Sequence, residues 1–211
     1  MLRFEGITKS FGWRPVFQGL GHRLGAGVHA LQGPNGIGKS TLLAILAGAL
    51  EADAGEVWVD GVSMRDNPRV ARMRLSYAPD ESPIYPFMTG IDLLDFVAMA
   101  KKVRVGQGIL ERVDRFGLRP YLHTRFSAMS LGTQKKFMLT AAWIGEPKAM
   151  FLDEPSNGLD AQARACLVEL LRKHGQQNLI LLSTHDMGFV SSCGATVLTM
   201  ESMETRGDAM A

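Results

Sequence analysis

Gly33-Pro34-Asn35-Gly36-Ile37-Gly38-Lys39-Ser40, followed by Thr41, carries the first chemistry legible in the chain. The order fits G-x-x-x-x-G-K-[ST]. Glycines let the backbone curl so that successive N–H groups face inward as an anion nest. Lys39 can then reach β- and γ-phosphates, and the Ser40 hydroxyl can ligate Mg²⁺. A second constellation, Asp153-Glu154-Pro155, closes the apolar run Ala149-Met150-Phe151-Leu152. Asp153 can hold Mg²⁺ through its water shell, and Glu154 is placed to orient and deprotonate a water. A third is Thr184-His185-Asp186 after the apolar run Leu179-Ile180-Leu181-Leu182. A lone histidine is more often structural than catalytic, but at the carboxyl end of a parallel strand His185 can face the cleft of Glu154.

These residues need elements to hold them. Val28-His29-Ala30-Leu31 reads as a buried strand and residues 42–46 as the start of an apolar helix, so the loop has the strand–turn–helix context it requires. The helix N-terminus near Lys39 adds partial positive charge, and the combination implies a bound nucleoside triphosphate. Residues 2–7 alternate as an edge strand would, and the turn Lys9-Ser10-Phe11-Gly12-Trp13 brings two aromatics upstream of the loop. An exposed Phe11 could stack on a base; a place under the sheet is the competing reading for both aromatics, with the stronger claim on Trp13. Residues 74–78 form a further strand closed by Pro79, and residues 80–89 are proline-rich yet apolar at Ile84, Tyr85, Phe87 and Met88. That loop either packs beneath the domain or docks another protein. Helices are expected over residues 91–100 and 106–116. Ser130 is a credible N-cap for the next helix and a second place to hold phosphate oxygens; Asp160 can cap the helix 161–174.

The bulk numbers bound the alternatives. The 211 residues suit one domain, or one domain with a lobe, and 46% hydrophobic with 21% charged residues argues against disorder. The net charge of +2 gives no electrostatic footprint for nucleic acid. Lys101-Lys102-Val103-Arg104 reads most simply as a solvated helix end. Cys166 and Cys193 have no metal-ligand spacing and read as free cytosolic thiols. The first residues lack a signal-peptide core, and the apolar stretch 42–50, too short to span a bilayer, is assigned to the helix after the loop. Any membrane role is therefore expected to be peripheral.

The order of motifs resembles the nucleotide-binding domain of ATP-binding cassette (ABC) proteins over nearly the whole chain. The resemblance implies an α/β P-loop NTPase fold: a mainly parallel core, an N-terminal antiparallel part and a small helical subdomain. It implies one domain, residues 1–211, with a RecA-like core at 1–83 and 145–211 and helices at 84–144. By resemblance, Phe11 is the adenine-stacking aromatic and Gly33 to Thr41 the Walker A loop. Asp153 is the Mg²⁺-associated acid, Glu154 the catalytic base and His185 the switch histidine at the γ-phosphate. Residues 156–160, ending in Asp160, are similar to the loop that crosses between subunits. Two places depart from the pattern. Asp80 stands where the family usually has a glutamine that senses Mg²⁺ and the attacking water, and it adds negative charge near the triphosphate. The usual Leu-Ser-Gly-Gly-Gln signature reads Met129-Ser130-Leu131-Gly132-Thr133, keeping the Ser130 hydroxyl and the Gly132 backbone approach.

The resemblance further implies two copies or two paired cassettes, head to tail, with ATP and Mg²⁺ shared between the loop of one and the Ser130 segment of the other. It implies an ATPase subunit on the cytoplasmic face of the membrane, working with separately encoded transmembrane permease subunits and not with nucleic acid. The wording of residues 79–89 leans toward exporters of multidrug or haem-export type. The rival readings are a soluble cassette ATPase and a switch that binds ATP but hydrolyses it poorly, the latter motivated by Asp80 and Thr133.

Overall fold

The computed structural model describes residues 1–81 and 84–205. Two long strands, β1 (Leu2–Phe11) and β2 (Arg14–Leu24), pair antiparallel from Leu2↔Leu24 to Phe11↔Arg14. β3 (Gly27–Gln32) runs through the glycine-rich turn into α1 (Lys39–Leu46). β4 (Ala54–Val59), β5 (Val62–Ser63), α2 (Pro68–Met73) and β6 (Leu75–Ala78) follow. Helices α3 (Gly90–Ala100), α4 (Gln107–Arg115) and α5 (Leu131–Ala141) come next. The chain returns as β7 (Ala149–Asp153), α6 (Ala161–Gly175), β8 (Leu179–Ser183), α7 (Met187–Cys193), β9 (Thr196–Thr199) and β10 (Glu204–Thr205).

The strands form two sheets, β10-β2-β1-β4-β5 with antiparallel pairing and β6-β7-β8-β3-β9 with parallel pairing. Helical crossovers cover both faces of the parallel sheet, so every residue of β7 and β8 is buried. Their side chains alternate between two cores. Phe151, Leu179 and Leu181 pack with α1 and the antiparallel sheet; Met150, Leu152, Ile180 and Leu182 pack with α3, α5 and α6. Burial of such a side chain contributes about 1.5–3 kcal/mol. One consequence is functional. The carboxyl ends of β3, β6, β7 and β8 lie along the same edge of the sheet, where parallel sheets collect their ligand-facing loops.

Several sequence expectations change. β1 is not an edge strand, because β2 and β4 flank it; its alternation arises from having one face on the core. β2 escaped reading because Gly19, Gly21 and charged residues interrupt its pattern, and its pairing with β1 shifts register three times. α1 stops at Leu46, short of the apolar run to Leu50. Trp13 is 95% exposed at the β1–β2 turn, not under the sheet. Lys101 is not solvated: its ammonium donates to the carbonyls of Arg72, Met73 and Leu75, and burial lowers its pKa to about 8. Ser82 and Pro83 of the proline-rich loop, and residues 206–211 of the expected frayed tail, lie outside the described residues.

Candidate active site

A cleft of about 640 Å³ opens at the carboxyl edge of the parallel sheet. Its phosphate-loop wall is Asn35, Gly36, Ile37, Gly38, Lys39, Ser40 and Thr41, with Gly33 and Pro34 leading in from β3. Gly38 has φ +109°, and a Cβ there would stand 2.7 Å from both Phe17 Cζ and Val16 Cγ1, so only glycine fits where β2 backs the loop. α1 has no side-chain cap and no acid in its first turn, which leaves its leading N–H groups for an anion. Lys39 Nζ donates to Gly33 O at 2.7 Å and Pro34 O at 3.1 Å, which sets its ammonium at the loop.

Phe11 lines the cleft mouth, half-exposed, with Lys9 Nζ 5.5 Å from its ring centre. Arg14, Pro15 and Val16 of β2 line the same wall; no sequence pattern had marked them.

The acids come from the strand ends. Asp153, the last residue of β7, is buried, and its Oδ1 accepts from the Ser183 hydroxyl. Register pairs Asp153 with Ser183, so the hydroxyl is delivered by the neighbouring strand. Glu154 sits at φ +44°, unusual for a non-glycine residue, and its N–H donates to the Ser183 carbonyl and hydroxyl oxygens, each at 3.1 Å. That turn aims the carboxylate into the cleft, where Oε1 lies 3.1 Å from His185 Nε2. The Glu154 side chain is 12% exposed and that of His185 53%. Burial, and then the Asp153 charge, push the Tyr77 phenol up to about 12, so it stays neutral.

Asp80 also lines the cleft, but its Oδ1 is 3.2 Å from Lys135 Nζ. Among the described residues no group of three or more His, Cys, Asp or Glu gathers as a metal cage. The oxygens of Ser40, Asp80 and Asp153 suit Mg²⁺, which keeps waters and substrate phosphate oxygens in its shell, so the donor set fits that ion.

Ser130, Gly132 and Asp160 are not among the residues lining this cleft. Ser130 caps α5, accepting from the Thr133 N–H at 3.2 Å and sharing a hydrogen bond with the Thr133 hydroxyl at 2.9 Å. Gly132 faces its own chain: a Cβ would lie 2.6 Å from Gly158 O. Asp160 caps α6 through the Ala163 N–H and pairs with Lys136. Ser183 and Lys135 join Arg14, Pro15 and Val16 as site residues that sequence reasoning missed. A serine closing an apolar strand beside the Asp-Glu strand was the available signal for Ser183; nothing marked Lys135.

A family model described as ABC transporter matches residues 24–157. The chain belongs to the ABC transporter family. The cassette is 34% identical over 186 residues to Nod factor export ATP-binding protein I of Rhizobium meliloti (strain 1021), covering 86% of this chain and 56% of that protein. It is 28% identical to the uncharacterized ABC transporter ATP-binding protein YdbJ of Bacillus subtilis (strain 168), over 99% of this chain and 68% of the relative. The chain thus spans little more than half the length of the Nod factor relative. Its fold superposes on an ATP binding subunit of an ABC transporter with a TM-score of 0.81 at 27% identity, covering 90% of this chain and 81% of that one. It also superposes on a dimeric post-hydrolysis state of the cassette MJ0796 bound to ADP and Pi, with a TM-score of 0.82 at 19% identity, over 99% of this chain and all of that one. The cassette therefore has the ABC P-loop fold, with a parallel sheet, an antiparallel sheet and helical elements between β6 and β7.

Proposed function

We propose that this chain is the ATP-binding and ATP-hydrolysing subunit of an ABC transporter, acting as a pair of cassettes. The observation that carries the reading is the single cleft that gathers Phe11, the phosphate loop, Asp80, Asp153, Glu154 and His185 from five separate stretches of sequence. Phe11 stacks on the base. The loop N–H groups, Lys39 and α1 bind and neutralise the phosphates, which is most of what phosphoryl transfer asks of a protein. Glu154 takes a proton from the attacking water as its oxygen bonds to the γ-phosphorus and the bond to the β-phosphate oxygen breaks. His185 holds the Glu154 carboxylate through Nε2, and Ser183 fixes the turn that carries it. Ser40, Asp80 and Asp153 would hold Mg²⁺, which supplies charge neutralisation at the β- and γ-oxygens.

The position of Ser130 supports the pairing. Its hydroxyl and the start of α5 stand outside the cleft, with Leu131 82% exposed. A second copy, head to tail, would bring that segment over the triphosphate. Residues 84–144 are the helical subdomain in this reading, between core segments 1–83 and 145–211.

Attachment to membrane subunits is supported by exposed large apolar side chains within that subdomain. Tyr85 and Phe87 stack with ring centres 5.4 Å apart, and both are exposed, as are Phe96 and Met99 of α3. No helix among the described residues is long and apolar enough to cross a membrane; in this reading the exposed apolar side chains meet separately encoded membrane subunits. Export is the favoured direction, from the loop wording and the Nod factor relatives. The rival reading of a poorly hydrolysing switch draws on Asp80 and Thr133. The deciding experiment compares wild type with Glu154→Gln and Lys39→Ala. We expect Glu154→Gln to retain labelled ATP while phosphate release falls about 10²–10⁴-fold, the usual worth of a general base. Lys39→Ala should lose nucleotide retention. Undiminished hydrolysis by Glu154→Gln would overturn the assignment.

A further inference from the structure

Lys39 and Lys135 are the two buried lysines among the described residues. Lys39 has a phosphate-facing task; Lys135, 5% exposed, has none in the reading so far. Its ammonium lies against four oxygens: Pro79 O at 3.3 Å, Asp80 O at 3.1 Å, Asp153 O at 3.1 Å and Asp80 Oδ1 at 3.2 Å. The acceptors come from the segment after β6 and from the end of β7, while the lysine comes from α5, whose cap is Ser130. Taking an ammonium out of water is costly unless its protons are all used and an opposite charge is near; here both conditions hold.

The charge balance gives this contact its meaning. Three carboxylates, Asp80, Asp153 and Glu154, line a cleft proposed to receive a triphosphate, against Lys39 and Arg14. Asp80 is the member with a cation behind it. We propose that Lys135 is a positioning residue for the cleft: it neutralises Asp80 and fastens the helix that begins at Ser130 to the strand end that carries Asp153 and Glu154. The inference rests on the nucleotide reading above. A carboxylate at position 80 is tolerable beside polyphosphate because its charge is already matched from the far side. The same ammonium makes three segments move as one.

The test measures ATP binding by the purified chain in excess chelator, where uncompensated charge is felt most. Lys135→Met leaves Asp80 unmatched beside the polyphosphate and should weaken binding about tenfold, on the order of what one uncompensated charge costs at an intermediate effective dielectric. Asp80→Asn leaves the Lys135 charge in excess and should tighten binding severalfold; this variant keeps the buried lysine and so tests the idea even where Lys135→Met fails to fold. The double variant Asp80→Asn/Lys135→Met should bind within about twofold of wild type, since the two changes cancel. A merely structural lysine would show no such rescue. Unchanged or weaker binding by Asp80→Asn, or a double variant no better than Lys135→Met, would overturn the proposal. Wild type that retains no ATP would instead overturn the parent reading, which keeps the two failures apart.

Discussion

Glu154 owes its direction to its backbone: a left-handed residue after a fully buried strand, with its N–H spanning two oxygens of Ser183. The Ser183 hydroxyl meanwhile serves the Asp153 carboxylate. Ser183→Ala should therefore loosen both acids at once. We expect kcat to fall about tenfold, from the loss of a hydrogen bond to a charged group worth about 1.5 kcal/mol, with the nucleotide KM nearly unchanged. Steady-state phosphate release against ATP concentration separates the two. At this scale the sequence was informative where function is local. Residues 33–41 form their nest from consecutive backbone, and Asp153-Glu154 are adjacent. Ser183 and Lys135 were obscure because strand register and helix docking bring them to the acids, and neither leaves a trace in spacing.

Helix starts supply the next scale. Asp92, Asp160 and Asp186 open α3, α6 and α7 through Thr89, Ala163 and Phe189. All three carboxyls sit below the usual range. The cause is first a side-chain hydrogen bond, from Thr89, Lys136 and Arg164 respectively, and then a backbone N–H. A carboxyl with a depressed folded pKa contributes stability that is present above its unfolded value and lost as the pH falls through the folded one. The thermal midpoint should therefore drop progressively below about pH 4 and stay flat above it as far as these caps are concerned. A thermal melt series at fixed ionic strength checks this. Ser130 and Asp160 were legible as caps because a polar residue before an apolar period is a local signal. α2 and α7, with six and seven residues, are too short for a period to emerge, and Gly90 gave no hint that its missing side chain makes room for Phe137, which a Cβ would meet at 2.3 Å.

Across the whole molecule, the proposed pairing would let a second copy complete the reaction site with its α5 start. The cleft lies at the carboxyl edge of the parallel sheet, and the α5 start stands apart with Leu131 in solvent. Glu154→Gln saturated with ATP should therefore migrate as a pair of chains in size-exclusion chromatography, and wild type with ADP as one. The class of fold was expected from the resemblance that the order of motifs carries. The separate antiparallel part was expected from the same resemblance, but its individual strands were not legible, because β2 carries too many glycines to look like a strand and β1 looks like an edge when read alone.

The β1–β2 turn has a practical corollary. Trp13 projects into solvent between Phe11 and Arg14, both at the cleft mouth, whereas Trp143 is enclosed and Trp58 lies beneath the Arg3 guanidinium. The protein thus carries an intrinsic fluorophore at its own doorway. Its emission should shift on titration with nucleotide and fall silent in Trp13→Phe, giving an optical readout of occupancy without any label.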